Sequence, residues 1–313
     1  MIVKGIVTKS VGGLFTVALD SEHNGSRYID AHAKGAFKHE KITLLAGDRV
    51  DVDVNDNGEM YISAIHERKS ALIRPPLANL DVIFVVISCV KPAPVLETID
   101  KLICIAESKG IECVIVITKA DLDMDFAKSV AEIYKKSGFE VFITSSESGE
   151  GRDALYDYIR CECRTRENPI FAFSGASGAG KSTFINVLFP NLALETGDLS
   201  RKLERGKNTT RKTELFSLDA LMAEGVSGYL ADTPGFTLLD FERFDFFTLD
   251  ELFDTFREFK ESEGRCKFSK CSHTKEQGCD IIERVRRGEI PISRHQSYVS
   301  LYNILKAKPK WKK

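Results

Sequence analysis

Residues 175–183 read Gly175-Ala176-Ser177-Gly178-Ala179-Gly180-Lys181-Ser182-Thr183. This run follows a short apolar stretch, Pro169 to Phe173, and precedes apolar residues at helical spacing, Phe184-Ile185-Val187-Leu188. A strand that ends in a glycine-rich turn and opens a helix lets backbone N–H groups converge on phosphate oxygens, and the helix N-terminus adds favourable partial charge. In that setting Lys181 reaches the β- and γ-phosphates and the Ser182 hydroxyl ligates Mg²⁺. The segment constrains the fold to an α/β domain with a parallel sheet, and the ligand to a nucleoside triphosphate.

Three further segments narrow the nucleotide. Thr118-Lys119-Ala120-Asp121 follows an apolar strand, Cys113 to Ile117. A carboxylate such as Asp121 accepts both N1–H and the exocyclic amine of guanine, and adenine offers neither donor there. The Lys119 stem packs along the nucleotide. Downstream, Thr144-Ser145-Ser146 closes another strand before Gly149-Glu150-Gly151, where backbone amides of Ser145 and Ser146 are placed to read guanine O6. Ala231-Asp232-Thr233-Pro234-Gly235 closes the strand from Gly228; Asp232 is expected to hold Mg²⁺ through water, and the Gly235 amide to sense the γ-phosphate. Between lies a polar loop, Gly206-Lys207-Asn208-Thr209-Thr210-Arg211, whose Thr210, or else Thr209, would complete the Mg²⁺ shell when a γ-phosphate is present. Phe236 and Thr237 follow Gly235 where a water-positioning Gln often stands, so unaided hydrolysis is expected to be slow.

The order of these segments is itself informative. A Ras-like domain runs phosphate loop, mobile loop, DTPG, base-reading loop; here the base-reading strands come first and DTPG last. Joining the old termini and reopening the chain in an exposed loop preserves strand neighbours, so the domain reads as circularly permuted.

Around it, residues 1–70 show short strand-like runs, Ile2–Thr8, Leu14–Leu19, Arg49–Val54 and Met60–His66, with Gly12-Gly13, Asn24-Gly25 and Asn57-Gly58 as turns. That pattern predicts a small β-barrel of the oligonucleotide-binding (OB) type, which serves nucleic acid or protein contact alike. Arg74-Pro75-Pro76 marks a linker. From Val82–Cys89 onward, buried-type strands alternate with helices over Leu96–Ser108 and Asp125–Lys136, giving an α/β domain at about 78–240. Residues 241–313 read as a mostly helical domain with a cysteine-rich insert, too small to carry a large core unaided.

Net charge is −2, which gives no argument for nucleic-acid binding. From Asp280 onward, however, nine Lys/Arg face three acids, a balance that suits either RNA phosphates or a solvated helix. The longest apolar run, Val82 to Val90, falls short of the ~20 residues a bilayer requires, and Met1 to Ser10 has no secretory apolar block. A cytoplasmic monomer without membrane contact is expected. Of eight cysteines, Cys89, Cys104 and Cys113 read as core, and Cys161 and Cys163 as incidental. Cys266, Cys271, His273 and Cys279 instead supply three thiolates and an imidazole within fourteen residues, a set that suits one structural tetrahedral Zn²⁺.

Taken together, these residues resemble the circularly permuted ribosome small subunit-dependent GTPase A (RsgA) family. The likeness spans the whole chain and rests on RPPLANLD (Arg74 to Asp81), SGASGAGKST, GKNTTRKTEL (Gly206 to Leu215), DTPGF, the Cys-Cys-His-Cys set, and Arg294 with Tyr298. The resemblance implies a GTPase stimulated by the small ribosomal subunit, acting late in its maturation and released on hydrolysis of GTP to GDP, with the barrel and zinc domain on ribosomal RNA. It places catalytic roles on Lys181, Thr210, Gly235 and, where the family commonly has histidine, Asn208, which orients water by hydrogen bonding but cannot act as a base. Thr118 stands where the family usually has asparagine. Two rival readings stay open: an RNA- or ribosome-binding GTP switch with negligible hydrolysis, and a P-loop enzyme acting on a small substrate.

Overall fold

The computed structural model describes residues 1–35, 37, 42–55, 58–72, 75–192, 213–222, 225–232 and 245–308. In chain order its elements are β1 (Ile2–Val11), β2 (Leu14–His23), β3 (Ser26–Ala33), β4 (Arg49–Val54), β5 (Met60–Ile65), β6 (Ala71–Leu72), β7 (Leu77–Ala78), β8 (Val82–Ser88), α1 (Leu96–Ser108), β9 (Glu112–Thr118), α2 (Met124–Lys136) and β10 (Glu140–Ile143). They continue as α3 (Arg152–Thr165), β11 (Ile170–Gly175), α4 (Lys181–Leu188), β12 (Glu214–Ser217), α5 (Leu218–Met222), β13 (Tyr229–Asp232), α6 (Asp280–Arg286) and α7 (Ile292–Ala307). Two compact units result: Met1–Val82 with Asp157–Phe173 and Leu188–Gly235, and Ile83–Tyr156 with Ser174–Val187 and Phe236–Lys313.

In the first unit, β1–β5 close a barrel in the order β1-β2-β3-β5-β4. Alternating residues Val17, Leu19, Ile29, Ala31, Val50, Val52 and Ile62 fill it. The hairpin turns at Gly12-Gly13 and Asn24-Gly25 adopt positive φ at both central positions, the geometry whose twist matches the flanking strands. β3 has no counterpart among the expected strands; only Ile29 and Ala31 of its eight residues are buried, too weak an alternation to stand out. Outside the barrel, β11 pairs in parallel with β13, and β12 lies antiparallel to β13.

In the second unit, β10 pairs in parallel with β9, which neighbours β8. All seven residues of β8 are buried, as the unbroken apolar run predicts for a strand covered on both faces. Helix α1 occupies the expected span, with Leu102, Ile103, Ile105 and Ala106 buried. Helix α3 was not anticipated, because charged residues dominate it and only Leu155, Ile159 and Cys163, at a four-residue interval, are buried. Within Phe236–Lys313 the described helices are α6 and α7, with 3₁₀ turns at Phe253–Thr255 and Arg257–Ser262. Phe256, Phe259, Tyr298 and Leu301 form the apolar centre of this region. No helix among the described residues is long and apolar enough to cross a membrane.

Candidate functional site

The glycine-rich loop begins where β11 ends. Gly175 has φ 154°, and a Cβ there would lie 2.4 Å from the Val86 carbonyl oxygen, so only glycine lets the loop pass β8 this closely. Gly178 and Gly180 follow at φ 78° and 89°. Helix α4 starts at Lys181, and its first turn closes with Phe184 N donating to Gly180 O at 2.9 Å. Ala176, Ser177 and Gly178 are exposed, Ala179 is buried, Ser182 is half-buried and Thr183 is exposed. Lys181 Nζ folds back over the loop and donates to the carbonyls of Gly175 and Ala176, both at 2.8 Å. Burial lowers the Lys181 pKa, so an anion at this point restores the charged form.

The segment Thr118 to Asp121 is tied directly to this loop. Thr118, buried at the end of β9, donates from Oγ1 to Ala179 O at 2.6 Å. Lys119 adopts a left-handed backbone, φ 60°, and its Nζ donates to Gly178 O at 3.0 Å and to Lys91 O at 2.8 Å. A non-glycine residue held in that conformation is backbone strain of the kind found at ligand clamps. Asp121 is exposed and accepts from the Ser145 hydroxyl, which also accepts from the N–H groups of Glu147 and Ser148. Ala120 N donates to Thr144 O at 3.1 Å, and Ser146 is half-buried beside Ser145. Residues 118–121, 144–146 and 175–183 are thus brought together within one unit. The hydroxyl of Thr118 supplies one tether to the loop, and the Lys91 carbonyl is a partner no sequence motif announced.

Asp232 is exposed at the end of β13 in the first unit. Gly206, Lys207, Asn208, Thr209, Thr210 and Gly235 lie outside the described residues.

A second site sits in the C-terminal region. The donor atoms of Cys266, Cys271, His273 and Cys279 all lie within 4.8 Å of one another and could hold a metal ion. His273 Nδ1 is 3.5 Å from Cys266 Sγ and 3.4 Å from Cys279 Sγ, and the two sulfurs are 3.9 Å apart. Burial lowers the His273 pKa and so favours the neutral ring that ligates; it pushes the Cys279 thiol up to about 12, a balance a divalent cation reverses. Around the donors, Glu276 accepts from the N–H groups of Ser272 and Thr274, His295 Nε2 meets His273 O at 2.8 Å, and Tyr298 donates to Ser272 O at 3.2 Å. Burial raises the Glu276 pKa, but hydrogen bonds from the Ser272 hydroxyl and from the backbone N–H groups of Lys275, Glu276 and Ser272 hold it down overall, to about 2.

Among the described residues, five of the cations after Asp280 are ion-paired within the protein. Arg294 is fully buried and pairs with Asp100 at 2.7 Å and Glu258 at 2.7 Å. Arg284 pairs with Glu261 and Glu289, Arg286 with Glu283, Arg287 with Glu289, and Lys308 with Asp245. Earlier in the region, Arg257 takes both Glu107 and Glu112 and stacks 4.5 Å from the Phe139 ring centroid. Neither Arg257 nor Arg294 carries a sequence signal of this role, because their partners are far away along the chain.

Comparison with known proteins agrees with this geometry. The RsgA GTPase family model matches residues 65–242, and the RsgA N-terminal domain model matches residues 4–62. A "Small ribosomal subunit biogenesis GTPase RsgA" of Caldanaerobacter subterraneus subsp. tengcongensis is 35% identical over 309 residues, 98% of this chain and 97% of that protein. "Small ribosomal subunit biogenesis GTPase RsgA 2" of Oceanobacillus iheyensis is 36% identical over 98% of this chain and 99% of its own length. Among solved structures, YjeQ from Thermotoga maritima superposes with a TM-score of 0.79 at 29% identity, covering 99% of this chain and 100% of its own. YloQ, described as a circularly permuted GTPase, gives 0.76 at 30% identity over 99% of this chain and 98% of its own.

Proposed function

Because the chain belongs to the RsgA GTPase family, and so hydrolyses GTP in the biogenesis of the small ribosomal subunit, we propose that hydrolysis is stimulated by that subunit, late in its maturation, and drives release from ribosomal RNA. The observation that supports the nucleotide site is the pair of hydrogen bonds from Thr118 and Lys119 to the loop at 175–183, which tie the segment proposed to read the base to the loop proposed to bind the phosphates. In this reading Asp121 pairs with the guanine edge, Ser145 and Ser146 flank O6, and the amides of Gly175 to Thr183 together with Lys181 bind the phosphates. Ser182, Asp232 and Thr210 offer the oxygen ligands that suit Mg²⁺, which supplies charge neutralisation at the phosphate oxygens when bound. Lys181, Thr210, Gly235 and Asn208 are assigned to hydrolysis, with Asn208 orienting water.

The division into a barrel at 1–70, a permuted GTPase domain at 78–240 and a metal-binding domain at 241–313 is part of the same proposal, as are a monomeric state and a cytoplasmic location. For the metal we infer Zn²⁺. A tetrahedral ion with zinc's usual bond lengths sets sulfurs about 3.8 Å apart and sulfur from nitrogen about 3.5 Å apart, close to the separations among Cys266, His273 and Cys279. Four protein donors leave no open position, so the role is structural.

Turnover of GTP and ATP, each with and without purified small subunits, tests the reading. Stimulation confined to GTP is the expected result; equal stimulation of ATP, or none with mature and immature subunits alike, would sink it. The Thr118 tether gives a second expectation. Thr118→Ala leaves the buried Ala179 carbonyl unpaired and should weaken guanine-nucleotide binding about tenfold, whereas Thr118→Ser should stay near the unaltered protein. Titration with a fluorescent guanine nucleotide reads the difference.

A further inference from the structure

The segment Gly264 to Lys275 carries Arg265, Lys267, Lys270 and Lys275 and no acidic residue. At its centre stands Phe268, 51% exposed and the only phenylalanine among the described residues left open to this degree. Lys267 Nζ lies 5.7 Å from its ring centroid. Arg265, Lys267 and Lys270 are all exposed beside it. The acids nearest in sequence do little to cancel this charge. Glu261 is paired with Arg284, and the Glu276 carboxylate is taken up by Ser272, Thr274 and Lys275; Glu263 remains exposed.

The ring is also held in place. Cys266 and Cys271, two of the four metal-donor residues, bracket it, and Lys267 N donates to Gly278 O at 2.9 Å. An apolar ring that the fold leaves outside its core, on a segment anchored at both ends, with one lysine over it and further exposed cations two and three residues away in sequence, has the makeup of a stacking platform for single-stranded nucleic acid. The ring face takes a base while the cations take the flanking phosphates.

We propose that Phe268 stacks against an unpaired RNA base, with Arg265, Lys267 and Lys270 on the neighbouring phosphates. The inference rests on the reading above that the C-terminal region meets ribosomal RNA, and it names the residue that recognises a base there. Stacking carries no sequence code, so the preference is for unpaired nucleotides rather than for a particular sequence.

The test uses the full-length, metal-replete protein and a labelled single-stranded oligoadenylate, with binding followed by fluorescence polarisation across a salt series. Phe268→Ala is expected to weaken binding about tenfold without changing the salt slope, since no charge is removed. Phe268→Trp should bind at least as tightly as the unaltered protein. Lys267→Ala with Lys270→Ala should weaken binding and lower the slope of log K against log salt by about 1.4, two single-strand phosphate contacts. Metal content and circular dichroism establish that each variant is folded; should Phe268→Ala lose its metal, Phe268→Leu, which keeps apolar bulk without a π face, is expected to show the same loss.

If the lysine variant loses affinity while Phe268→Ala and Phe268→Leu do not, stacking is overturned and RNA contact by the region stands. If neither class of variant matters, or the unaltered protein fails to bind the oligonucleotide at low salt, both fall. Weakened binding to small subunits with unchanged oligonucleotide binding would assign Phe268 to a protein contact and also overturn the inference.

Discussion

Replacing Arg294 by alanine is expected to destabilise the protein by about 3–5 kcal/mol, the usual consequence of removing one partner from a buried charge network. Arg294 is fully buried, with Nη1 on Asp100 Oδ1 and Nε on Glu258 Oε1, both at 2.7 Å, and its guanidinium stacks 4.6 Å from the Phe256 ring centroid. Two carboxylates share this one cation, and Tyr134 adds a hydrogen bond to Asp100. Asp100 Oδ2 is buried with no hydrogen bond of ordinary geometry, while Ser297 also favours the charged carboxyl. Burial therefore raises the Asp100 pKa even beside the arginine.

The sign of the pH effect follows. A carboxyl whose folded pKa is raised costs stability as pH climbs from its unfolded value through the folded one, because the folded state resists losing the proton. Without Arg294 the folded value rises further and the window widens. The deficit of Arg294→Ala relative to the unaltered protein is thus expected to be largest near neutral pH and smaller near pH 5. Chemical denaturation at the two pH values measures it. A deficit under about 1 kcal/mol at neutral pH would mean the two carboxylates find other compensation.

Loss of the metal is the second large effect. Binding to a structural zinc site of this donor type is worth roughly 10–16 kcal/mol in small peptides, comparable to or larger than the whole stability of a domain. Among the described residues the segment from Arg265 to Cys279 contains no α-helix or strand and is organised around the four donors and Glu276. Chelation, or Cys266→Ser with Cys279→Ser, should melt this segment and loosen α6 and α7, seen as lost helical circular dichroism and faster hydrogen exchange at Ile281 and Leu301. Guanine-nucleotide affinity should change less than tenfold, because the Thr118 and Lys119 contacts do not involve the cluster. An unchanged spectrum after demonstrated metal removal would contradict the structural role.

What could be read from residues alone tracks the distance over which each feature acts. The glycine-rich turn after β11 and the Cys-Cys-His-Cys cluster are short strings whose geometry is nearly complete within themselves, so both were legible. Element spans were legible where burial is one-sided or continuous, as in β8 and α1. β3 and α3 were not, because few of their side chains are buried and polar residues mask the pattern. The role of Arg294 was hidden for a different reason: the residue stood out only through the family resemblance, and its partners lie 194 and 36 residues away. Arg257 is likewise remote from its partners, which are 150 and 145 residues upstream.

That long reach bears on how the protein can be divided. Arg257, Arg294 and Ser300 neutralise or bond Glu107, Glu112, Asp100 and Glu97, all on or beside α1. A fragment cut after the DTPG segment would keep those acids and discard the groups that answer them. Such a truncate is a different molecule from the one nature assembled, and rates measured on it would describe an enzyme with its flank stripped bare.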